Sequence, residues 1–346
     1  MTDHTGKKNM IAVSRSLLIT LLFGALALGI FIGAGMGIFT PLQAAKSESA
    51  PVGREGEFRF IRTSFEAKDP KRKAVSRELK PFQYKVSGLI ESRLKTGEVS
   101  AVSIYFRDLN NGNWFGIGEH DKFSPKSLLK LPLMIAYFKW SESAPLVLRK
   151  KIAYTGKETP PERTYVKPHQ EIEPGKTYTV NDLIYRMIVH DDAAAYALLY
   201  ANLPEGRLDR IFKDLYVEYD PHKTEDSLSL SAFAAFYRVL FNASYLNEEM
   251  SEKALRYLSK STFRQGMAAG VPPNIDIASK HGERMTAAVG DSEEQLVYQF
   301  HEFGIIYHPN RPFLLGIMAR GDDVDQLEKI LRDITRLVYE EVDLQS

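Results

Sequence analysis

The residues of this chain best suited to covalent chemistry are Ser127 and Lys130, three apart in Phe123-Ser124-Pro125-Lys126-Ser127-Leu128-Leu129-Lys130. Ser124 has the chemistry of a helix N-cap and Pro125 that of a first helical residue, which places Ser127 in an opening helical turn. Its amide then has no partner inside the helix and is free to serve an oxyanion, while Lys130 lies over the same face. A serine hydroxyl is a weak nucleophile at neutral pH and needs a base within hydrogen-bond reach; a lysine whose pKa is lowered by burial can be that base. Leu128, Leu129, Leu131, Pro132, Leu133, Met134 and Ile135 make the surroundings of Lys130 apolar. The pattern fits acyl transfer. An amphipathic helix with one snorkelling lysine fits it too, since Ser-x-x-Lys arises about once by chance in a chain of this length.

Composition narrows the alternatives. There is no cysteine, which excludes disulfides, thiolate metal sites and a cysteine nucleophile. The eight histidines include no His-x-x-x-His pair placed on a helix, so neither a metal nor any other cofactor is expected. Lys plus Arg number 45 against 44 Asp plus Glu, and a net charge of +1 gives no reason to expect a nucleic-acid partner. With 346 residues, 44% of them hydrophobic, the chain can bury a sizeable core.

The first part of the chain is a different material. From Leu17 to Phe39 the sequence carries no charge, and about 23 residues at about 1.5 Å rise would cross a bilayer core of about 30 Å. Lys7, Lys8 and Arg15 precede this run, so the positive-inside rule puts residues 1–16 in the cytoplasm, a membrane anchor at 17–40, and the remainder outside the cell membrane. A signal peptide is the rival reading, with small residues at Ala44 and Ala45. Gly29, Gly33 and Gly37 repeat at four-residue spacing and could bring two such helices together as a homodimer. Residues 41–81 read as a linker with a basic cluster at Lys71, Arg72 and Lys73, in which Phe58-Arg59-Phe60-Ile61 alternates and is expected to add a short strand.

Residues 82–346 read as one domain. Val86, Leu89, Ile90 and Leu94 recur at helical spacing, and Val99 to Phe106 has the composition of a strand. Asp108-Leu109-Asn110-Asn111-Gly112 is a turn signal with a returning strand over Asn113 to Gly118. Helical stretches run from about Pro125 to Leu258, interrupted near 155–178 and 216–228. Strands return at Ile275 to Ser279, Phe303 to Tyr307 and Phe313 to Ala319, and Val324 to Val342 closes the chain as an amphipathic helix. Strands at both ends with helices between imply an α+β fold, an antiparallel sheet beside a helical block.

The segment FSPKSLLKLPLMIAYFK resembles the nucleophile helix of the class A β-lactamase and penicillin-binding-protein family, whose boxes are Ser-x-x-Lys, Ser-Asp-Asn and Lys-Thr-Gly. LIYRMIVHDDAAAYALL is similar to the segment carrying the second box, with His190, Asp191 and Asp192 at its positions. IDIASKHGE is similar to the third, with Lys280, His281 and Gly282. SAFAAFYRVLFNASYL, FRQGMAAGVPP and EFGIIYHPNRPFLLGIMARG extend the likeness over about residues 82 to 342. The resemblance implies a β-lactamase-like fold, Ser127 as nucleophile, Lys130 as base, His190 relaying a proton in place of the serine, Asp192 facing substrate, and Lys280, His281 and Gly282 binding it. The small-molecule partner it implies is a β-lactam or a D-alanyl wall peptide.

Two departures bear on activity. His190 and Asp192 replace the serine and asparagine; Asp192 before Ala193-Ala194-Ala195 also has the form of a helix N-cap, and both His190 and His281 could be structural. The Glu-x-x-Leu-Asn setting that supplies the deacylating base of class A enzymes is absent from residues 203–228, where Glu205, Glu218 and Glu225 have other neighbours. The expectation is therefore a serine hydrolase poor at antibiotic breakdown, and its rival is a pseudoenzyme that binds or regulates at the cell wall.

Overall fold

The computed structural model describes residues 58–62, 79–157, 165–219, 226–287 and 296–346. Contacts divide the chain into Met1–Val52 and Gly53–Ser346, and every described residue belongs to the second unit. The expected anchor at 17–40, its glycines and the basic cluster at 71–73 lie outside the described residues. Among the described residues no helix is long and apolar enough to cross a membrane.

Helix α1 (Lys80–Lys95) leads into β1 (Ala101–Asp108), and the Asp108 turn returns the chain as β2 (Trp114–Ile117). The Asp108 side chain makes that turn: its carboxylate accepts from the amides of Asn110 at 2.7 Å and Asn111 at 3.2 Å. The fold then leaves the sheet. A short strand β3 (Lys122–Phe123) precedes a 3₁₀ turn (Lys126–Leu129) and α2 (Lys130–Ser143). Then come β4 (Lys151–Ala153), β5 (Thr177–Thr179), α3 (Val180–Val189), α4 (Ala193–Asn202), α5 (Arg207–Asp214), β6 (Leu228–Ser229), α6 (Leu230–Phe241) and α7 (Glu248–Leu258). The sheet resumes with β7 (Ile277–Ala287), β8 (Leu296–Ile306) and β9 (Phe313–Gly321), and α8 (Val324–Leu344) ends the chain.

The main sheet is antiparallel in the order β2-β1-β9-β8-β7, so strands from both ends of the sequence meet at the β1–β9 pairing. This is the α+β architecture expected. Each face carries its own core. Val86, Phe106, Leu315 and Ile317 pack with Leu327 and Ile334 of α8 on one side; Phe303, Leu314 and Met318 pack with α2, α3 and α6 on the other. β9 and the second half of β8 are buried on both faces, which accounts for their nearly unbroken apolar runs. Helix α2 is apolar all round and accordingly lies inside the helical block, with Leu131, Leu133, Met134, Ile135 and Phe138 fully buried.

Residues 58–62 form no strand, contrary to the alternating pattern, and instead clip onto the domain. The amides of Arg59 and Phe60 donate to the two oxygens of buried Glu252 at 3.1 and 2.7 Å, Arg62 donates its amide to the Phe241 carbonyl at 2.8 Å, and Tyr307 donates to the Phe60 carbonyl at 3.0 Å. A side-chain carboxylate takes the donors that a neighbouring strand would have taken.

Candidate active site

The nucleophile candidate sits where the sheet meets the helical block. Ser127 lies in the 3₁₀ turn, one turn ahead of α2, and the α-helix itself begins only at Lys130. Ser124 is not the expected N-cap: its own amide donates to Gln299 Oε1 at 3.1 Å, and Lys126 takes a left-handed φ of 39° as the chain turns in. The Lys130 amide donates to the Ser127 carbonyl, so the two side chains are separated by one tight turn of three residues per repeat, in which positions i and i+3 eclipse. Among the described residues the Ser127 amide makes no hydrogen bond, as the sequence implied for an oxyanion donor.

The other wall is β7, an edge strand that among the described residues pairs with β8 alone. Gly282 allows it to come close: a Cβ there would meet Leu128 Cγ at 3.0 Å and the Pro125 carbonyl at 3.1 Å. The third-box glycine is thus a contact point between the strand and the nucleophile turn.

Beneath this contact the buried charges collect on Asp191. Lys130 Nζ donates to Asp191 Oδ1 at 2.5 Å and to its carbonyl at 2.8 Å, and Lys280 Nζ donates to the same Oδ1 at 2.6 Å. His281 Nε2 stands 3.3 Å from Oδ2, out of line for a hydrogen bond, with its ring against Phe263. These groups are removed from water, with Lys130 2%, Lys280 1% and Asp191 7% exposed. Burial would raise the Asp191 carboxyl, but Lys130, Lys280 and His281 outweigh it and hold the group well below its ordinary value. Burial lowers the Lys280 amine despite Asp191 beside it, and drives His281 down to about 4.

Aligning these features as a site, the family whose profile matches the chain is described as the beta-lactamase enzyme family, over residues 86–342. The chain belongs to the beta-lactamase enzyme family. Similar solved structures include an acyl-enzyme complex of PBP-A (L158E mutant) with penicillin G, at 18% identity and TM-score 0.62, covering 77% of this chain and 97% of that one. A beta-lactamase from Xanthomonas campestris pv. campestris gives 18% identity and TM-score 0.62 over 75% of this chain and 97% of that one. One from Sphaerobacter thermophilus gives 18% and 0.63 over the same shares. No curated protein matches in sequence. Fold and family make this a serine hydrolase of the acyl-enzyme type.

This family member departs from expectation in the second box. The residue joining the two lysines is Asp191, whereas His190 contacts neither: its ring stacks on His169 at 5.5 Å and meets Tyr185 edge-on at 5.6 Å. Asp192 does not face a substrate. It caps α4, its Oδ1 accepting from the Ala195 amide at 2.9 Å and its Oδ2 from the Ile172 amide at 2.7 Å. Geometry therefore slides the box by one residue, to Asp191, Asp192 and Ala193. The signal was present in the sequence: of two aspartates before Ala-Ala-Ala the second is the natural N-cap, which leaves the first outside the helix, here at a φ of 59°.

Sequence reasoning also missed Glu283. Its Oε1 accepts from the Val166 amide at 2.8 Å, while the His169 amide donates to the His190 carbonyl at 3.2 Å. With the Ile172 bond to Asp192, residues 165–172 are fastened both to β7 and to the helical block. Burial raises the Glu283 carboxyl to about 7.

Proposed function

We propose that this chain is a membrane-anchored, extracytoplasmic serine hydrolase that acylates Ser127 with the amide of a D-alanyl peptide or a β-lactam ring and releases the product slowly. The observation that carries the reading is the meeting of an unbonded Ser127 amide, the open edge of β7 at Gly282, and two buried lysines on one carboxylate. An extended peptide can lie along an unpaired strand edge, which presents a row of backbone donors and acceptors. The apolar run at residues 17–39 supports the anchor, and an extracytoplasmic position suits a wall substrate.

Proton traffic follows from the charge count. With both amines protonated, Lys130, Lys280 and Asp191 hold one net positive charge away from water, and burial already lowers Lys280. The reacting form is the one in which this cluster has lost one proton and Lys130 is the neutral amine. Lys130 then accepts the Ser127 hydroxyl proton as the oxygen attacks the carbonyl carbon, and Asp191 stands where a relay would pass that proton to the departing nitrogen. Lys280 is the anchor for a substrate carboxylate. Release is slow because Glu205 and Glu218 are exposed and no buried glutamate takes the place of the deacylating base on that segment among the described residues.

The second reading, a wall-binding domain without turnover, draws on Asp191 itself: the Lys130 amine already donates to its carboxylate and its carbonyl, an engagement that opposes its work as a base. One experiment separates the two. The full chain is treated with a fluorescent penicillin beside Ser127→Ala; covalent label that the substitution abolishes is expected. A folded protein that takes no label at any pH overturns acylation in favour of the binding domain.

A further inference from the structure

Behind the Asp191 turn, on the α3 side, lies a cavity of about 190 Å³ whose walls include Tyr178, Asp182, Tyr185, Arg186 and His190. Its chemistry is not that of the lysine cluster. The Arg186 guanidinium sits over the Tyr178 ring at 5.2 Å and makes no ion pair among the described residues. The nearby carboxylate does not answer it: Asp182 Oδ2 accepts from the Thr179 amide at 3.3 Å and hydroxyl at 2.7 Å, closing the capping box that starts α3. The imidazole of His190, stacked on His169, has a buried Nδ1 with no hydrogen-bond partner. Lys260 adds a further positive charge over the outer ring, 5.9 Å from the Tyr185 centroid.

An unpaired guanidinium, an unsatisfied imidazole and two phenol rings around one small hollow leave an anion unprovided. The geometry points to a second binding site in this chain, which takes a small planar ligand bearing a carboxylate, with Arg186 pairing the charge and Tyr178 and Tyr185 flanking the body. A guanidinium matches a carboxylate in two parallel hydrogen bonds, and tyrosine faces supply apolar area. A monoanion suits the site better than a phosphate dianion, because burial, His169 and Arg186 lower the His190 pKa and leave that ring neutral at pH 7. The site is joined to the catalytic turn through one atom: the Arg186 carbonyl accepts from the amides of both His190, at 3.0 Å, and Asp192, at 3.3 Å.

The test titrates the full chain with sodium benzoate while the ring resonances of His169 and His190 are followed by NMR. Saturable shifts at His190 in the millimolar range are expected, with benzamide, the neutral counterpart, at least about tenfold weaker. Arg186→Gln should weaken benzoate by at least about tenfold and Arg186→Lys by less, because the ammonium keeps the charge without the fork. Lys260→Gln should change it by less than about twofold, since an exposed charge contributes little. Benzamide binding as well as benzoate, or an unchanged His190, overturns the proposal on the unmodified protein, whatever the fate of the variants. Inorganic phosphate displacing benzoate at a lower concentration than benzoate itself requires overturns the carboxylate assignment.

Discussion

Lys130 and Lys280 share a single acceptor, donating to Asp191 Oδ1 at 2.5 and 2.6 Å from opposite walls of the cleft. Lys130 starts α2 and Lys280 lies in β7, so this oxygen ties the helical block to the sheet. Two buried ammoniums around one carboxylate are tolerable together and costly apart.

Replacement of Asp191 therefore separates stability from chemistry. Asp191→Ser keeps a small acceptor and removes the negative charge; the loss of a buried pairing partner should cost about 3 to 5 kcal/mol of unfolding free energy. The same change releases the Lys130 amine from the carboxylate oxygen it donates to, and penicillin labelling of Ser127 should quicken by at least about tenfold. Urea denaturation and the labelling rate read the two effects; slower labelling in a folded variant would mean that the carboxylate relays the proton better than a serine hydroxyl does.

Gly282→Ala examines the contact between β7 and the nucleophile turn. Its Cβ would press on Leu128 Cγ at 3.0 Å and on the Pro125 carbonyl at 3.1 Å. Overpacking of this kind costs about 1 to 3 kcal/mol. Because the displaced atoms flank Ser127, labelling should fall by more than about tenfold while the melting temperature drops by only a few degrees.

Much of this arrangement was legible from the residues. The helix over residues 80–95 was visible because it has one buried face and so a clear period, the strand ending at Ala319 because burial on both faces leaves it almost wholly apolar, and Ser127 and Lys130 by their residue types and spacing. β7 and β8 are longer than their apolar cores at Ile275 to Ser279 and Phe303 to Tyr307. Lys280, His281, Glu283, Gln299, His301 and Glu302 interrupt the pattern: Lys280 and His281 lie against Asp191, Gln299 donates to Asp226, Glu283 and Glu302 accept from the Val166 and Met267 amides, and His301 packs on Phe123. Asp191 was misplaced for a different reason: matching the small residues after the box puts His190 in its first position, whereas backbone geometry puts Asp191 there and the N-cap Asp192 in the middle.

The two neighbours of Asp191 should therefore behave oppositely. His190→Gln touches neither lysine and should leave penicillin labelling within about twofold of wild type. Asp192→Ala removes a helix cap and the acceptor for the Ile172 amide, and should cost about 2 to 3 kcal/mol, read by denaturation. A His190 variant without labelling activity would return the proton relay to that residue.

Stability against pH should expose Glu302, which accepts from the Met267 amide and the Ser279 hydroxyl, each at 2.7 Å. Burial raises it from 4.5 to about 7, so the folded state holds a proton that the unfolded chain releases, and its contribution is lost as pH rises from 4.5 to 7. His301, fully buried and lowered to about 3, works the other way, with its contribution lost as pH falls below 6.5. The two oppose each other across much of this range, so the variant must be compared with wild type pH by pH. Relative to wild type, Glu302→Gln should gain about 3 kcal/mol between pH 4.5 and 7.5. A constant difference would show that the carboxyl titrates normally.

The clip at residues 58–62 changes where this domain begins. Glu252 is 2% exposed, and the amides of Arg59 and Phe60 answer its charge together with the Arg256 guanidinium, 3.2 Å from Oε1. A truncation at residue 82, where helical periodicity starts, would remove those donors and unseat Phe60 from the packing around Tyr307. The shortened product would carry a buried carboxylate left with Arg256 as its partner and an open seam between α6 and α7, so recombinant versions cut there should be less soluble than versions that start ahead of Phe58.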